Sequence, residues 1–540
     1  MTGPATTDDP ATTDDPAMTG GPGAGMLPVV IVGAGPTGMT AAALLARHGV
    51  PSVVCERHPE PYPLPRAVHL DDEVLRILQN VGVAEEFLGI SMPAEGLRLV
   101  GPDLSTIAEF RRDRPVGDHG WPQANMFDQP ELERLLRANL ATLPAVEFRP
   151  GTLVEEVENV AGGPGPVRVS VLDTATGRRS RIWSAAVLGC DGAGSTVRTA
   201  IGATLRGGRF AERWLVVDAR SPRPLRHWNG VHQLCAPGAA ATYMRVGEDR
   251  HRWEFQIGRH PLPGLETLLS PWLGDVAFGE LEILRQAEYT FRAKVADRWR
   301  RGRVFLLGDA AHLTPPFIGQ GMGSGLRDAA NLCWKLALVL TGGADERLLD
   351  TYQAERAAHV RNVIGIAVTV GWIMTSRLPP AGLARRLAAV ASRRLPGLQA
   401  RLAGTALPRL PGGPLVRRAR DPLAGALCPQ PRVVVDGEAR RLDDLIGGSF
   451  ALLHRGPLVP ELAAVASLCD ARTVRAEGEL ARWLARAGAD SALVRPDGIV
   501  LASAATRTRR QRFYRLDDTW TRLMPVRDRG RGRPAFETTR

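Results

Sequence analysis

One stretch near the start constrains the chain more than any other. A short apolar run, Val29–Val32, leads into Gly33-Ala34-Gly35-Pro36-Thr37-Gly38, a GxGxxG turn. The Ala- and Leu-rich segment Met39 to His48 follows and is ended by Gly49. A second apolar run then stops at Glu56, 18 residues beyond Gly38. The pattern predicts strand, tight turn, helix and strand. Gly33 allows the turn, Gly35 lets the backbone approach a diphosphate, and Gly38 permits close packing of helix on strand. The helix N-terminus then faces the phosphate charge. A carboxylate at the position of Glu56 accepts from ribose hydroxyls. Pro36 and Thr37 inside the turn and Arg57 beside Glu56 belong to the same expected dinucleotide site. FAD and NAD share this fingerprint, so other residues must choose between them.

Two further segments do so. Ala186–Leu188 is strand-like and runs into Gly189-Cys190-Asp191-Gly192; Val304–Leu307 is strand-like and runs into Gly308-Asp309-Ala310-Ala311-His312. Each apolar strand ends on an aspartate among small residues, and Asp309 is placed to accept from a sugar or ribityl hydroxyl. Gly319, Gly321, Gly323 and Gly325 then bring the backbone close to a flat ligand ahead of a helix, Leu326 to Leu340. Ordinary αβ turns explain either segment alone but not all three motifs in this order.

On these residues the chain resembles the single-component FAD-dependent aromatic hydroxylases, the group typified by para-hydroxybenzoate hydroxylase. It is more similar to the 3-(3-hydroxyphenyl)propionate hydroxylase branch. That nearer likeness rests on Pro65-Arg66-Ala67-Val68-His69-Leu70-Asp71-Asp72-Glu73, on Gln129-Pro130-Glu131-Leu132-Glu133, and on Gly308 through Met322 to Arg327-Asp328-Ala329-Ala330-Asn331-Leu332. It spans about residues 27–505. The implied fold is α/β: a Rossmann-like FAD-binding domain interleaved with an antiparallel-sheet substrate domain, followed by a C-terminal thioredoxin-like domain without CxxC.

The resemblance implies roles. Glu56 holds the adenosine ribose, and Arg66 lies near the diphosphate or helps NAD(P)H bind. Gln129 and Asp309 contact the ribityl chain, and Asp191 belongs to the second motif. Amides around Gly321, Met322 and Gly323 face the pyrimidine edge of the flavin, and Pro315 sits beside the ring. NADH or NADPH reduces FAD, oxygen adds to give a C4a-hydroperoxyflavin, and an electron-rich phenolic or aminophenolic ring is hydroxylated. The substrate is either 3-(3-hydroxyphenyl)propionate-like or a larger aromatic polyketide or ansamycin-type intermediate of secondary metabolism. A Baeyer–Villiger or epoxidising monooxygenase and a flavin-dependent dehydrogenase are the competing readings. No catalytic residue is assigned; His69 and His312 are candidate proton handlers, with Pro315 near the reaction centre. No second GxGxxG occurs, so NAD(P)H is expected to bind transiently. Trp253 and Phe255 either line the aromatic pocket or pack in a sheet core.

The same reading divides the chain into a disordered tail (1–25) with its repeated PATTDD, and FAD-binding parts (26–208 and 291–404) around a substrate-binding sheet (209–290). A linker (405–425), the thioredoxin-like domain (426–505) and a basic tail (506–540) follow. Within the sheet, ATYMRVG and the alternating Trp253-Glu254-Phe255-Gln256-Ile257 predict a hairpin across Glu248-Asp249-Arg250, its outer strand half-buried. The net charge of +11 does not point to nucleic acid: Lys294 and Lys335 are the only lysines, and 57 acidic residues are interspersed among the arginines. The basic cluster Arg507, Arg509, Arg510, Arg512 and Arg515 reads as a solvated tail. Six scattered cysteines without CxxC exclude a disulfide scaffold and a zinc ribbon, no metal is expected, and the usage fits a cytoplasmic protein. The longest apolar stretch, Val363 to Met374, is too short for a bilayer, and residues 1–25 lack a signal-peptide pattern. Expected partners are a small aromatic substrate, dioxygen and NAD(P)H, with no nucleic acid and no membrane; the chain is a candidate homodimer.

Overall fold

The computed structural model describes residues 26–61 and 67–504, except 113, 160–162, 164, 209, 237, 259–260, 377, 379, 385–386, 388–406, 418–420 and 436, together with 523 and 524. The tail at 1–25, Arg66 and the arginine cluster at 507–515 lie outside the described residues.

Val29–Val32 is buried along its whole length, which fits a central strand covered on both faces. It pairs in parallel with Ser52–Glu56 on one side and with Ala186–Gly189 on the other. Val146–Pro150 and Val304–Leu306 extend this parallel sheet, and Arg300–Arg301 closes one edge in antiparallel sense. The helix Pro36–Arg47 starts directly after the glycine turn and packs between the sheet and the long helix Gly321–Gly342. All three motif-bearing strands are thus neighbours, and the turns at their C-terminal ends meet at one edge of the sheet. That is where ligands bind in parallel α/β sheets.

A seven-stranded sheet runs in the order Glu282–Arg292, Ala211–Arg220, Arg250–Ile257, Ala241–Arg245, Val231–Leu234, Gly96–Val100, Thr106–Arg111. The expected hairpin is present, with Tyr243 opposite Trp253. Two strands come from 96–111, inside the stretch that the sequence reading gave to the FAD-binding part. Nothing in their short alternating pattern says which sheet they join; the parallel pairing of Gly96–Val100 with Val231–Leu234 is a long-range contact.

The strand Arg250–Ile257 differs from expectation in burial. Its alternation is correct, yet Arg252 and Glu254 are as buried as Trp253 and Phe255. Trp253 and Phe255 pack with Tyr243, Leu269 and Trp272 beneath the helix Leu265–Leu273. Arg252 and Glu254 point to the other face, toward the FAD-binding part, and Arg252 is neutralised by Asp218 at 2.6 and 2.9 Å. Charged residues here mark a face turned toward another layer, not toward water.

Beyond residue 426 a four-stranded sheet has the order Arg472–Arg475, Ala451–His454, Ser491–Val494, Val500–Ala504, the first pair parallel and the others antiparallel. The stretch expected to be a linker is packed where it is described: Leu410, Leu415 and Val416 are buried, and Arg417 N–H donates to Leu501 O. Leu523 and Met524, within the expected loose tail, are buried in the main core. The helix Asp350–Thr375 belongs to a 30-residue stretch, Glu346–Thr375, long and apolar enough by length and composition to cross a membrane. It nevertheless carries Glu355 and Arg356, each ion-paired inside the protein.

Candidate active site

The first motif touches the third through Thr37 and the second through Gly33. A Cβ built on Gly308 would lie 3.0 Å from Thr37 Oγ1, and one on Gly325 only 2.3 Å from it. Gly33 adopts φ +99°, and a Cβ there would meet Cys190 O at 2.6 Å and the Asp191 Cα at 3.2 Å. Gly38 is tighter still, 2.0 Å from Gly33 O. These glycines let backbones touch. Gly35 and Gly321 are different: a Cβ on either meets nothing within 4 Å, so each faces open space. One run of residues therefore seals the turn while another leaves a backbone cradle in front of it.

The individual residues fall into place as follows. Glu56 ends its strand with Oε2 accepting from Ala34 N–H at 2.7 Å and Oε1 from His58 N–H at 3.0 Å, so it braces the glycine turn. Arg57 is exposed beside it and donates to His58. Gln129 accepts from Ala67 N–H and donates to Glu133, both at 2.7 Å, which pins the segment leading to His69. Asp191 caps the helix Thr196–Ala200, accepting from Ser195 Oγ–H at 2.5 Å and Val197 N–H at 3.1 Å, and burial raises its pKa. Asp309 is exposed on the turn Gly308–Ala310.

The first bond within the helix Gly321–Gly342 runs from Ser324 N–H to Gln320 O, so the amides of Gly321, Met322 and Gly323 precede it. They form the positive end of a 22-residue helix, and Gly321 and Met322 are half-buried. A buried network fixes that end. Gln320 Nε2 and the Arg327 guanidinium both donate to Asp71 Oδ2, at 2.9 and 2.6 Å, and Arg327 reaches Glu73 at 2.7 Å. Burial pushes Asp71 upward, but Arg327 outweighs it and holds the carboxyl below its ordinary value. The HLDDE and RDAAN segments thus meet as an ion-pair clamp behind the cradle.

Of the candidate proton handlers, His69 lies against the same turn: a Cβ on Gly319 would be 2.9 Å from its Nδ1. Burial, reinforced by Arg112, pushes His69 down to about 4, so it is neutral at pH 7. His312 is fully buried, and its Nε2 lies 2.7 Å from Asp328 Oδ2. Its place is behind the Gly308 turn, whose N–H the same Asp328 oxygen accepts. Pro315 is buried at the start of the turn Pro316–Ile318. Phe317 in that turn meets the rings of Phe210 and Trp214 at 6.2 and 5.7 Å, with Leu99, Phe110 and Met374 around it. This apolar wall joins the cradle to the seven-stranded sheet. The sequence reading left Trp253 and Phe255 either to line such a pocket or to pack in a sheet core, and they pack in the core. The strand register puts them on the far face, while Trp214, which shares a face with Gln256 and Glu254, takes the near one.

The residues present fit FAD: an open glycine beside a helix N-terminus, a carboxylate at the second strand, an exposed aspartate on the third motif, and free helix-end amides further along. A family model described as "FAD binding domain" matches residues 26–261 and 265–367. The chain belongs to the FAD-dependent aromatic hydroxylases. It is 35% identical over 515 residues to a probable NADH-specific resorcinol 4-hydroxylase of Rhodococcus jostii, covering 89% of this chain and 93% of that protein. It is also 35% identical over 438 residues to a 3-(3-hydroxy-phenyl)propionate/3-hydroxycinnamic acid hydroxylase of Burkholderia cenocepacia, covering 79% of this chain and 78% of that one. Among solved structures, the OxyS anhydrotetracycline hydroxylase of Streptomyces rimosus is 28% identical, with TM-score 0.71 over 92% of this chain and 99% of that chain. Membership of these hydroxylases accounts for the motif order on the sheet and for the antiparallel sheet facing the cradle.

Proposed function

We propose that the chain hydroxylates a phenolic ring with FAD, NADH and dioxygen, its substrate a resorcinol-like phenol or a hydroxyphenyl-propanoid acid. The observation that carries this reading is the continuity of the Gly308–Gly323 segment. Its Asp309 and helix-end amides suit a flavin, and its Phe317, two residues beyond Pro315, forms part of an apolar wall suited to an aromatic ring. Glu56, Asp309 and the amides of Gly321, Met322 and Gly323 would hold the cofactor. Bound FAD supplies the redox chemistry, taking electrons from NADH and activating dioxygen so that one oxygen atom enters the ring and the other leaves as water.

The protein's own contribution is placement and dryness. Phe317, Trp214 and Phe210 keep water from the ring's neighbourhood. The helix-end amides favour negative charge on the bound cofactor, and the Asp71–Arg327 clamp keeps them aligned without reorganisation. NADH is favoured over NADPH by the NADH-specific name of the Rhodococcus relative. A larger polycyclic phenol is the second reading, favoured by the likeness to the anhydrotetracycline hydroxylase. The same reading makes this a cytoplasmic enzyme, a homodimer candidate, with Glu346–Thr375 packed as a core helix. The C-terminal unit reads as a thioredoxin-like appendage without redox chemistry, since its sequence has no CxxC.

The test is NADH oxidation by the FAD-loaded protein with resorcinol, 3-(3-hydroxyphenyl)propionate and a polycyclic phenol, with products read by mass. A phenol that speeds NADH oxidation and gains one oxygen atom on its ring supports the reading. Ring expansion to a lactone favours Baeyer–Villiger chemistry, and reduction of flavin with no oxygenated product favours a dehydrogenase.

A further inference from the structure

A cavity of about 580 Å³ lies between the helix Gln129–Ala141 and the edge of the seven-stranded sheet. Its volume is that of a small-molecule site. It is distinct from the apolar wall: among its described lining residues there is no phenylalanine, tyrosine or tryptophan. It is instead dominated by guanidinium groups, those of Arg134, Arg137, Arg220, Arg250, Arg252 and Arg285. Only three carboxylates face them. Asp128 is paired with Arg250 and Asp218 with Arg252 and, at 4.0 Å, with Arg285, while Glu60 is exposed at the rim. Arg220 is held from outside the cavity by Asp249 and Glu282. Arg134 and Arg137, one turn apart on the helix, have no carboxylate partner among the described residues, and the buried Nε of Arg137 has no hydrogen-bond partner there. Arg252 and Arg285 are more than nine-tenths buried, so positive charge is built into this wall and not left on a solvated surface.

Such a surplus calls for an anion. The cavity also adjoins the cradle: Val68 lines it, while the next residue, His69, lies against Gly319. We propose that this cavity seats the diphosphate of the nicotinamide dinucleotide, with Arg134 and Arg137 on the helix side and Arg285 on the sheet side as its anion contacts. This rests on the reading of NADH as reductant. It gives the second dinucleotide a place although the chain has only one GxGxxG turn. Guanidinium groups suit a diphosphate because their paired N–H donors match two phosphate oxygens at once.

The test uses the full-length, FAD-loaded chain and the R134Q/R137Q double variant, Arg134 being exposed and Arg137 half-buried on one helix. The expected result is a rise of about tenfold in KM for NADH, with kcat at saturating NADH retained. Competitive inhibition by inorganic pyrophosphate, present in the parent, should fall with it, while FAD content and the phenol's Kd stay unchanged. An unchanged KM for NADH overturns the proposal, as does weakened binding of an aromatic acid in place of NADH, which would assign the cavity to a substrate carboxylate. Calorimetric titration with inorganic pyrophosphate needs no turnover. If the parent oxidises no NADH, the proposed function fails by itself, and the anion site stands or falls on whether the parent binds pyrophosphate and the variant does not.

Discussion

His312 Nε2 lies 2.7 Å from Asp328 Oδ2, and that same oxygen accepts the N–H of Gly308 at 3.0 Å. The imidazole therefore steadies the carboxylate that holds the third motif's turn, and Arg356 completes the arrangement at 2.8 Å from Oδ1. All three side chains are buried. Burial pushes Asp328 upward, but His312 and Arg356 together hold it below its ordinary value. Asp328→Asn leaves Arg356 buried without its counter-charge, a change that costs about 3–5 kcal/mol. Urea unfolding of the variant should show this loss, and FAD should dissociate more readily because a single amide oxygen cannot accept from both Gly308 and Arg356. Unaltered stability would mean that the ion pair is not formed. A depressed carboxyl contributes stability above its unfolded pKa that disappears as pH falls, so the difference between parent and variant should shrink below about pH 4.

Gly35 and Gly38 separate binding from folding. Gly35→Ala places a methyl in open space, where the diphosphate would lie, and Gly38→Ala drives one into Gly33 O. The first variant should keep the parent's thermal midpoint as apoprotein yet lose most flavin absorbance after gel filtration. The second should lower the midpoint as well, since backbone cannot yield as a side-chain end can. Equal flavin content in parent and Gly35→Ala would place the cofactor elsewhere.

Arg495 makes a two-pronged ion pair with Glu355, 2.9 Å on each side, and Lys335 shares the same carboxylate at 2.9 Å. Glu355 sits next to Arg356 in sequence, so the C-terminal unit is wired to the helix that supports Gly308. Burial pushes Glu355 upward, but Arg495 and Lys335 prevail and hold it down to about 2. Arg495→Met should cost about 3–5 kcal/mol, since it leaves buried Asp497 without its guanidinium partner and Glu355 with Lys335 alone. If the pair couples the two units, Glu355→Gln combined with Arg495→Met costs less than the sum of the single changes. Strict additivity, measured by urea unfolding, would refute that coupling.

Histidines set the acid limit. Burial pushes His48, His69, His232 and His251 each down to about 4, from an ordinary value near 6.5. Between those values the unfolded chain binds protons that the folded chain refuses, so stability rises with pH and is lost as pH falls from about 6.5 to 4. The urea midpoint should drop across this window. A flat midpoint would mean that these imidazoles are hydrated.

Much of this site was legible in the sequence because its parts are local. The glycine turn, the strand-ending aspartates and the glycine-rich helix start are each a backbone requirement written in consecutive residues. The pairing of HLDDE with RDAAN was visible only as a family pattern, because a salt bridge between Asp71 and Arg327 spans 256 residues. What period-two alternation could not supply was the sense of each face. Trp253 and Trp214 occupy neighbouring strands, and only the register of Ala211–Arg220 against Arg250–Ile257 puts them on opposite sides. Glu254 sits on the polar side of that half-buried alternation yet is buried, since an alternation does not say whether water or another layer covers the polar side.

That division of the sheet yields the final prediction. Phe317 packs on Trp214 on the near face, and a Cβ on Gly371 would strike the Phe317 ring at 2.2 Å. Phe317→Leu and Gly371→Ala should therefore both disturb the apolar wall, the first by loosening it and the second by displacing the ring. In each variant the ratio of hydroxylated product to NADH consumed should fall, with hydrogen peroxide making up the difference, because water reaches the activated oxygen before the ring does. Trp253→Phe, on the covered far face, should instead lower the thermal midpoint through lost packing and leave that ratio at the parent's value. The measurement is product by chromatography against NADH by absorbance in the same reaction. A fall for Trp253→Phe equal to that for Phe317→Leu would move the substrate to the far face of the sheet.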